Sequence, residues 1–234
     1  MIKQKLTFII SLTLFSLCVC AQEAVNLFDE DGKRHGPWTK NFEKTKQVRY
    51  SGQFSHGKEV GEFRYYQLVG KVSKLAAVKT FDDNSDQADV KYFSLQGNVI
   101  SEGKMKGKRH IGKWLYYHKN SEQLMTEENF NDQGQLHGQR LVYYVNGQVA
   151  EKMNYINGNR EGEALYYAMN GVVIKEYVYK NDMLHGPSKH FDESGQIQIE
   201  GNYKNGKKHG VWTYYRNGEI FEEKDFSFKS RNKG

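Results

Sequence analysis

The stretch Gly206-Lys207-Lys208-His209-Gly210-Val211-Trp212-Thr213-Tyr214-Tyr215-Arg216-Asn217-Gly218 decides the fold. It combines a spaced pair of glycines, an aromatic run and an Asn-Gly dipeptide. Asn-Gly next to a run of aromatic and β-branched residues predicts a β-hairpin. Because successive side chains of a strand point to opposite faces, Trp212 and Tyr214 share one face and Tyr215 lies on the other.

The same pattern recurs along the chain. Residues 107–117 repeat it with one inserted residue, and residues 57–66 form another copy. The gap of 50 residues from Gly57 to Gly107, against 24 to 27 elsewhere, predicts a degenerate copy near residue 82, with Tyr92, Phe93 and Gly97 in the expected places. Eight copies are then expected between residues 32 and 226. The remaining copies begin at Gly32, Gly134, Gly158 and Asp182.

A lone hairpin is marginally stable in water, so successive copies are expected to pair edge to edge. No helical period of 3.6 residues follows the N-terminal stretch. The fold class predicted is therefore all-β, an elongated single-layer antiparallel sheet of about eight stacked hairpins. Val25–Phe28 should cap one end, and Phe226 and Phe228 should close the other. An extra residue in Gly138–Tyr143 is expected to bulge or shift its strand.

This pattern resembles the MORN repeat, and most closely its variant form, over about 195 residues. The resemblance implies a scaffold that binds proteins or membrane lipids. Some exported relatives carry a label as antitoxin components. That label fits poorly with export, because an antitoxin normally meets its toxin in the cytoplasm.

The N-terminus predicts export. Lys3 and Lys5 precede an apolar stretch of 12 residues, 6–17, and small residues follow at 18–21. This is the pattern of a secretory signal peptide, and the stretch is shorter than the roughly 20 residues of a membrane-spanning helix. We expect cleavage after Ala21 and a location in the periplasm, at the outer membrane or outside the cell. Cleavage after Cys20, or a lipoprotein acylated at Cys18 or Cys20, remains an alternative.

The predicted organisation is a signal peptide at 1–21, a capping segment at 22–31, a repeat array at 32–226 and a basic tail at 227–234. Removing residues 1–21 removes both cysteines, so disulfides, thiol nucleophiles and thiolate metal sites are not expected. It also leaves 32 basic residues against 28 acidic ones, a net charge of about +4. That balance is too small to predict nucleic-acid binding.

No catalytic or cofactor motif is evident, and the expected protein is not an enzyme. Adjacent carboxylates such as Glu127 and Glu128, or Glu222 and Glu223, point to opposite faces of a strand and so cannot flank one glycosidic bond. Residues 82–93 begin like a calcium loop but lack its glycine and its final glutamate. No metal or cofactor is expected.

A row of histidines raises the question of zinc. Equivalent residues of successive hairpins lie about 9 to 10 Å apart, too far for one ion, so we expect a turn-packing role instead. These histidines are His35, His110, His137, His185 and His209.

Two surfaces are candidates for binding. The second tyrosine of each pair forms an aromatic face that either packs the sheet or lines a groove for an extended peptide or glycan. Basic turns between repeats form an edge for an acidic protein or anionic lipid, or a merely solvated one. The expected partner is another protein, with lipid as the alternative. The aromatic face comprises Tyr66, Tyr117, Tyr144, Tyr167 and Tyr215, and the basic edge comprises Lys33, Arg34, Lys108, Arg109, Lys207 and Lys208. We expect Lys108, Arg109, Lys207 and Lys208 to be free of packing contacts.

Overall fold

A computed structural model of the chain describes residues 24–82 and 85–227. These residues form an 18-stranded antiparallel sheet and contain no helix, which confirms the predicted all-β class. None of them therefore belongs to a helix that could cross a membrane. The predicted signal peptide at 1–21, Cys18 and Cys20 within it, and Phe228 lie outside the described residues.

Each strand pairs with the next one along the chain, so the sheet is a meander of hairpins. The short β14 interrupts this order, and β13 pairs with both β14 and β15. The strands are β1 (Leu27–Phe28), β2 (Arg34–Asn41), β3 (Val48–Ser55), β4 (Lys58–Val69), β5 (Val72–Phe81), β6 (Gln87–Phe93), β7 (Val99–Lys106), β8 (Arg109–Tyr117), β9 (Leu124–Phe130), β10 (Gly138–Tyr143), β11 (Val149–Ile156), β12 (Asn159–Tyr167), β13 (Val173–Lys180), β14 (Met183–Leu184), β15 (Gly186–Phe191), β16 (Ile197–Lys204), β17 (Lys207–Arg216) and β18 (Glu219–Asp225).

Both predicted ends of the array take part in the sheet. The N-terminal cap is a two-residue strand, β1, paired with β2. At the other end, the backbone N–H of Phe226 donates to the carbonyl of Gly210 at 2.9 Å, and its ring lies 6.4 Å from that of Trp212. The segment predicted as a degenerate copy forms the hairpin β6–β7.

The turns between repeats and within repeats differ in the middle of the array, as two Asn-Gly dipeptides show. Asn157-Gly158, between repeats, has both residues at positive φ, 50° and 90°, as a two-residue type I′ turn requires. Within a repeat, Gly147 alone is at positive φ, 84°, and its N–H donates to the carbonyl of Tyr144. This is a type I turn followed by a glycine bulge, and a longer loop than the two-residue turn. Dipeptides of identical sequence, Asn-Gly, thus make two kinds of turn.

The strand of residues 138–143 does have the expected register shift, but the extra residue is not its cause, because the other repeats have the same shift. Each hairpin within a repeat has a register shift toward the end of its first strand, and β10–β11 has it at the equivalent place, between Val142 and Tyr143. Val142 therefore takes the position of the first tyrosine and Tyr143 that of the second. The sequence pattern is displaced by one residue while the backbone register is unchanged.

The centre of the core is a row of side chains on one face of the sheet, packed against buried neighbours such as Met105 and Met153. We call it the inner row; it lies two residues after the second glycine of each complete repeat, and most of its members are fully buried. Each member lies beside a residue of the preceding strand. The inner row comprises Trp38, Phe63, Val90, Trp114, Arg140, Ala164, Ser188 and Trp212.

The residues beneath the inner row complement it in size and charge. A Cβ placed on Gly103 would come 2.5 Å from the ring of Trp114, so the indole lies directly on that glycine. Small Ala164 instead pairs with the larger Met153. Arg140 has a glutamate beneath it, Glu128. Because a dense core tolerates neither voids nor overlaps, each member of a pair sets the size of the other.

Candidate binding surfaces

The second tyrosines lie on the face opposite the inner row. Tyr66, Tyr117, Tyr167 and Tyr215 all occupy the register-shift position of their strands and are half-buried. Tyr144 is a correction, because Tyr143 holds that position.

Tyr144 instead lies in the turn after β10. Its hydroxyl donates to the backbone carbonyl of Tyr167 at 2.7 Å. It therefore connects one repeat to the next rather than extending the aromatic face.

Hydrogen bonds link this aromatic face across repeat boundaries. The hydroxyl of Tyr117 donates to Oε1 of Glu102 on the preceding hairpin at 2.5 Å, and Tyr215 makes the same bond to Glu200. The Tyr117 bond, helped by Lys91 at 2.9 Å, lowers the pKa of Glu102 below its usual range. Burial first, and then this carboxylate, raise the pKa of Tyr117 to about 12. These tyrosines hold neighbouring hairpins together.

An open groove of about 780 Å³ crosses strands β5 to β8, and Glu102, the hydrogen-bond partner of Tyr117, is part of its lining. Its lining alternates in charge: Lys91 pairs with Glu102, and Lys104 pairs with Asp89 at 3.4 Å. Lys113, also in the lining, pairs with Glu127 at 2.6 Å. Val78, Phe93 and Ile111 also line the groove, so it offers an extended partner apolar contacts as well as paired charges.

The basic edge is partly a packing element, contrary to expectation. Nζ of Lys208 lies 4.0 Å from the ring centroid of Trp212 and donates to the hydroxyl of Tyr214 at 3.0 Å. The guanidinium of Arg34 lies 5.3 Å from the ring centroid of Trp38. Both residues precede an inner-row residue by four positions and therefore share its face. Lys208 is thus not free of packing contacts.

The remaining basic residues of this edge are exposed. Lys33 pairs with Asp31 at 3.3 Å, Arg109 and Lys207 begin their strands, and Lys108 lies in the turn before Arg109. The aliphatic part of the Arg109 side chain packs against the next turn between repeats. A Cβ atom placed on Gly134 in that turn would lie only 3.1 Å from the Cβ atom of Arg109.

Exposed apolar side chains line the opposite ends of the strands, a feature that the sequence reasoning missed. We call them the tip row: Leu95, Val145 and Met169, with 46%, 58% and 60% of their surface exposed. Each is the second residue of the turn within its repeat. It follows by two residues the strand position that the half-buried tyrosines occupy. Adjacent turns are joined, as where Nδ2 of Asn170 donates to the carbonyl of Glu193 at 2.9 Å. Aligning the repeats on their turns would have revealed this row.

The predicted packing role holds for the histidines whose contacts are seen. His110 stacks on Trp114 with ring centroids 3.6 Å apart, and burial lowers its pKa. Nδ1 of His137 faces Oδ1 of Asn157 at 3.3 Å, and His185 faces Asn205 at the same distance.

His35 has different neighbours. It meets His56, with ring centroids 4.9 Å apart, and Asp29 lies beside both.

The acidic pairs considered for glycan chemistry are separated as expected. Glu127 pairs with Lys113, whereas Glu128 pairs with Arg140 at 3.0 Å, below the inner row on the other face. Of the second pair, Glu222 pairs with Lys224 at 3.1 Å.

Comparison with known proteins identifies the repeat. The family model described as MORN repeat variant matches residues 136–157 and 184–205, which confirms the suspected family. A search of the curated proteins finds no match.

Similar solved structures are distant. They include a mutant of S. aureus TarM in complex with fondaparinux, α-GlcNAc-glycerol and UDP, at 15% identity over 63% of this chain and 21% of that one, with a TM-score of 0.21. A complex of TcdB2, TccC3 and Cdc42 is 14% identical over 80% of this chain and 13% of that one, with a TM-score of 0.22. The chain thus spans about a fifth or less of these structures.

Proposed function

Because the chain carries MORN-variant repeats, we propose that it is a non-enzymatic scaffold that binds another protein along its sheet. The observation that carries this proposal is the tip row, in which Leu95, Val145 and Met169 are exposed at equivalent places of their repeats, with Lys119 between Leu95 and Val145. Exposed apolar side chains scattered singly need no explanation, whereas a contiguous apolar patch marks an interaction site. Val145 and Met169 lie on adjacent turns, which a hydrogen bond from Nδ2 of Asn146 to the carbonyl of Met169 joins at 3.5 Å.

The proposed interface has two parts. The tip row supplies apolar contacts at the ends of the strands. The charged groove over β5 to β8 supplies paired charges of both signs nearby, which would set the register of the partner through complementary charges. At the other ends of the strands, Lys208 and Arg34 are held against aromatic rings and Lys33 pairs with Asp31, so fewer basic side chains are free to contact a membrane. This favours a protein partner over an anionic membrane.

We further propose that the scaffold works outside the cytoplasm. The support is the sequence of the first 21 residues alone, with Lys3 and Lys5 before the apolar stretch. Under this proposal the partner is an envelope protein or a secreted one.

The test compares two triple variants as bait in a pull-down from envelope extract. Changing Leu95, Val145 and Met169 to Ser removes the tip row, and changing Lys58, Lys108 and Lys207 to Ser alters exposed residues at the opposite ends as a matched control. We expect one protein to be retained by the wild type and the control and lost by the tip-row variant, and to bind the purified chain at a fixed stoichiometry. Equal retention by all three chains would contradict the tip row as the interface.

The lipid alternative is tested on the same proteins. Flotation of the chain with anionic but not neutral vesicles, reversed by about 0.5 M salt, would replace the protein-scaffold proposal with a membrane one. We expect equal and low recovery with both vesicle types.

A further inference from the structure

Three potential metal ligands meet at the first inter-repeat turn. A carboxylate oxygen of Asp29 and one ring nitrogen each of His35 and His56 all lie within 4.8 Å of one another. They come from three places: the turn after β1, strand β2 and the turn between β3 and β4. Equivalent histidines of successive repeats lie about 9 to 10 Å apart, too far to share one zinc ion. His56 is not equivalent to His35, so that spacing does not apply to this pair.

The carboxylate is already oriented toward the histidines. Oδ1 of Asp29 accepts hydrogen bonds from the backbone N–H groups of Asp31 and Lys33, at 3.1 and 2.8 Å. Oδ2 is thereby directed at Nδ1 of His56, 2.8 Å away. Such outer contacts are what hold a metal-ligating carboxylate in place.

Other repeats show that the turn itself does not require a histidine. Where the first repeat has His35 and His56, later repeats have His137 with Asn157 and His185 with Asn205. The two asparagines and His56 open the same kind of turn, with φ of 50°, 50° and 47°. Asparagine is well suited to this conformation, and it keeps a hydrogen bond to the neighbouring histidine. The second histidine and the aspartate are thus special to the first repeat among these three.

We propose that Asp29, His35 and His56 bind a divalent transition metal, with zinc as the best match to two imidazoles and one carboxylate. Zinc holds such ligands at about 2.0 to 2.2 Å, which places them about 3.4 Å apart in a tetrahedron. The ligand atoms all lie within 4.8 Å of one another, and Oδ2 of Asp29 and Nδ1 of His56 are 2.8 Å apart, so small side-chain rotations separate this pair and draw the other atoms together; His56 is 67% exposed and free to turn. Water fills the fourth position. The ion fastens the β1 segment to the first two hairpins.

The test is isothermal titration of ZnCl₂ into the full chain without a polyhistidine tag. Cys18→Ser and Cys20→Ser form the background, so that thiolates do not compete. We expect one zinc ion per chain and a rise in Tm on zinc addition. His56→Asn should keep the turn, because it restores the residue of the other repeats, and should weaken zinc binding by more than about tenfold, the smallest loss typical of outer-shell changes.

His185→Asn is the matched control, because His185 takes the position of His35 in a repeat where Asn205 stands in place of His56. It should leave the affinity for zinc unchanged. Cobalt gives a second readout: Co²⁺ bound in a tetrahedral site absorbs visible light, and this absorption should disappear in the His56→Asn chain. No binding of zinc by the background chain, or equal affinity in the background and His56→Asn chains, would overturn the proposal and leave Asp29 and His56 as a simple hydrogen-bonded pair.

Discussion

At the scale of single residues, the inner row shows how the repeat tolerates variation. Ser188 is 1% exposed, and its hydroxyl has no hydrogen-bond partner among the described residues. It stands where Trp212 and Trp114 stand in other repeats. A small residue fits there because the larger Tyr177 lies opposite it on the preceding strand. The neighbouring pair of Glu176 and Lys189 fixes this register. The hydroxyl is thus a polar atom in an apolar position.

Replacing that hydroxyl tests this account. Ser188→Ala should be neutral or raise the free energy of unfolding by up to about 1 kcal/mol, because no hydrogen bond is lost and an unsatisfied polar group is removed. The matched control is Ala164→Ser, which adds a hydroxyl at the equivalent, fully buried position and should cost about 1 to 3 kcal/mol. Urea unfolding measures both. If Ser188→Ala lost as much stability as the control, the Ser188 hydroxyl would not be an unpaired polar atom in an apolar position.

The tyrosine–carboxylate links predict a pH dependence. The pKa of Tyr117 is raised to about 12, so its contribution is complete below about pH 10 and is lost as the pH rises toward 12. The pKa of Glu102 is lowered, so its contribution is present above about pH 4.3 and is lost as the pH falls further. The stability difference between the wild type and Tyr117→Phe should therefore be largest near neutral pH and shrink toward both extremes, as measured by urea unfolding. A constant difference would argue against the link.

At the scale of strands and turns, position within the repeat decides what a charged residue does. Lys207 and Lys208 are adjacent, yet Lys207 is exposed and Lys208 covers Trp212 and also approaches the ring of Phe226, at 5.2 Å. The alternation of a strand separates the two roles. Long basic side chains pack their methylene groups on rings while keeping the charge near water.

Charge reversal at this pair should separate the roles. Lys207→Glu should change the free energy of unfolding by less than about 0.5 kcal/mol, as exposed substitutions usually do. Lys208→Glu should cost about 1 to 2 kcal/mol, since it replaces a cation over an aromatic ring with an anion. Thermal or urea unfolding of the two single variants gives the answer. Equal effects would restore the expectation that both residues are free of packing contacts.

How far the sequence predicts these elements depends on whether a feature is local. The hairpins, the two aromatic faces and the hairpin β6–β7 follow from turn residues and the strand period, which act over a few residues. The cause of the register shift in residues 138–143 was mispredicted because tyrosine spacing was used as the marker, whereas the backbone register follows the turn and the inner row. The cluster of Asp29, His35 and His56 needs an approach of three separate segments that no local pattern encodes.

At the scale of the whole molecule, the stability of the meander is approximately the sum of the stabilities of its hairpins and of the contacts between neighbouring hairpins. Nearly every element–element contact joins strands adjacent in the chain, so each hairpin is supported mainly by the one before and the one after. The described residues place β1 and β18 at the ends, each paired on one side. Disruption near an end should therefore stay local.

A comparison of two tryptophans tests this locality. Trp212→Ala should cost about 3 to 5 kcal/mol and reduce hydrogen-exchange protection mainly in β16 to β18, because the last hairpin has one neighbour. Trp114→Ala should lower protection on both sides of β8. The measurement is native-state amide exchange resolved by peptide. Uniform loss of protection along the chain in Trp212→Ala would indicate a single cooperative unit instead.

The central claim is that complementary pairs across repeat boundaries hold this sheet together, and a double-mutant cycle tests it most directly. Two equivalent pairs of the chain carry the larger residue on opposite strands. Gly103 lies beside the large Trp114, whereas the large Met153 lies beside Ala164. We measure the free energy of unfolding of Gly103→Met, Trp114→Ala and the double variant. The account predicts that each single change is destabilising and that the double variant loses at least about 1 kcal/mol less than their sum, the coupling expected of side chains in contact. Strict additivity would contradict it.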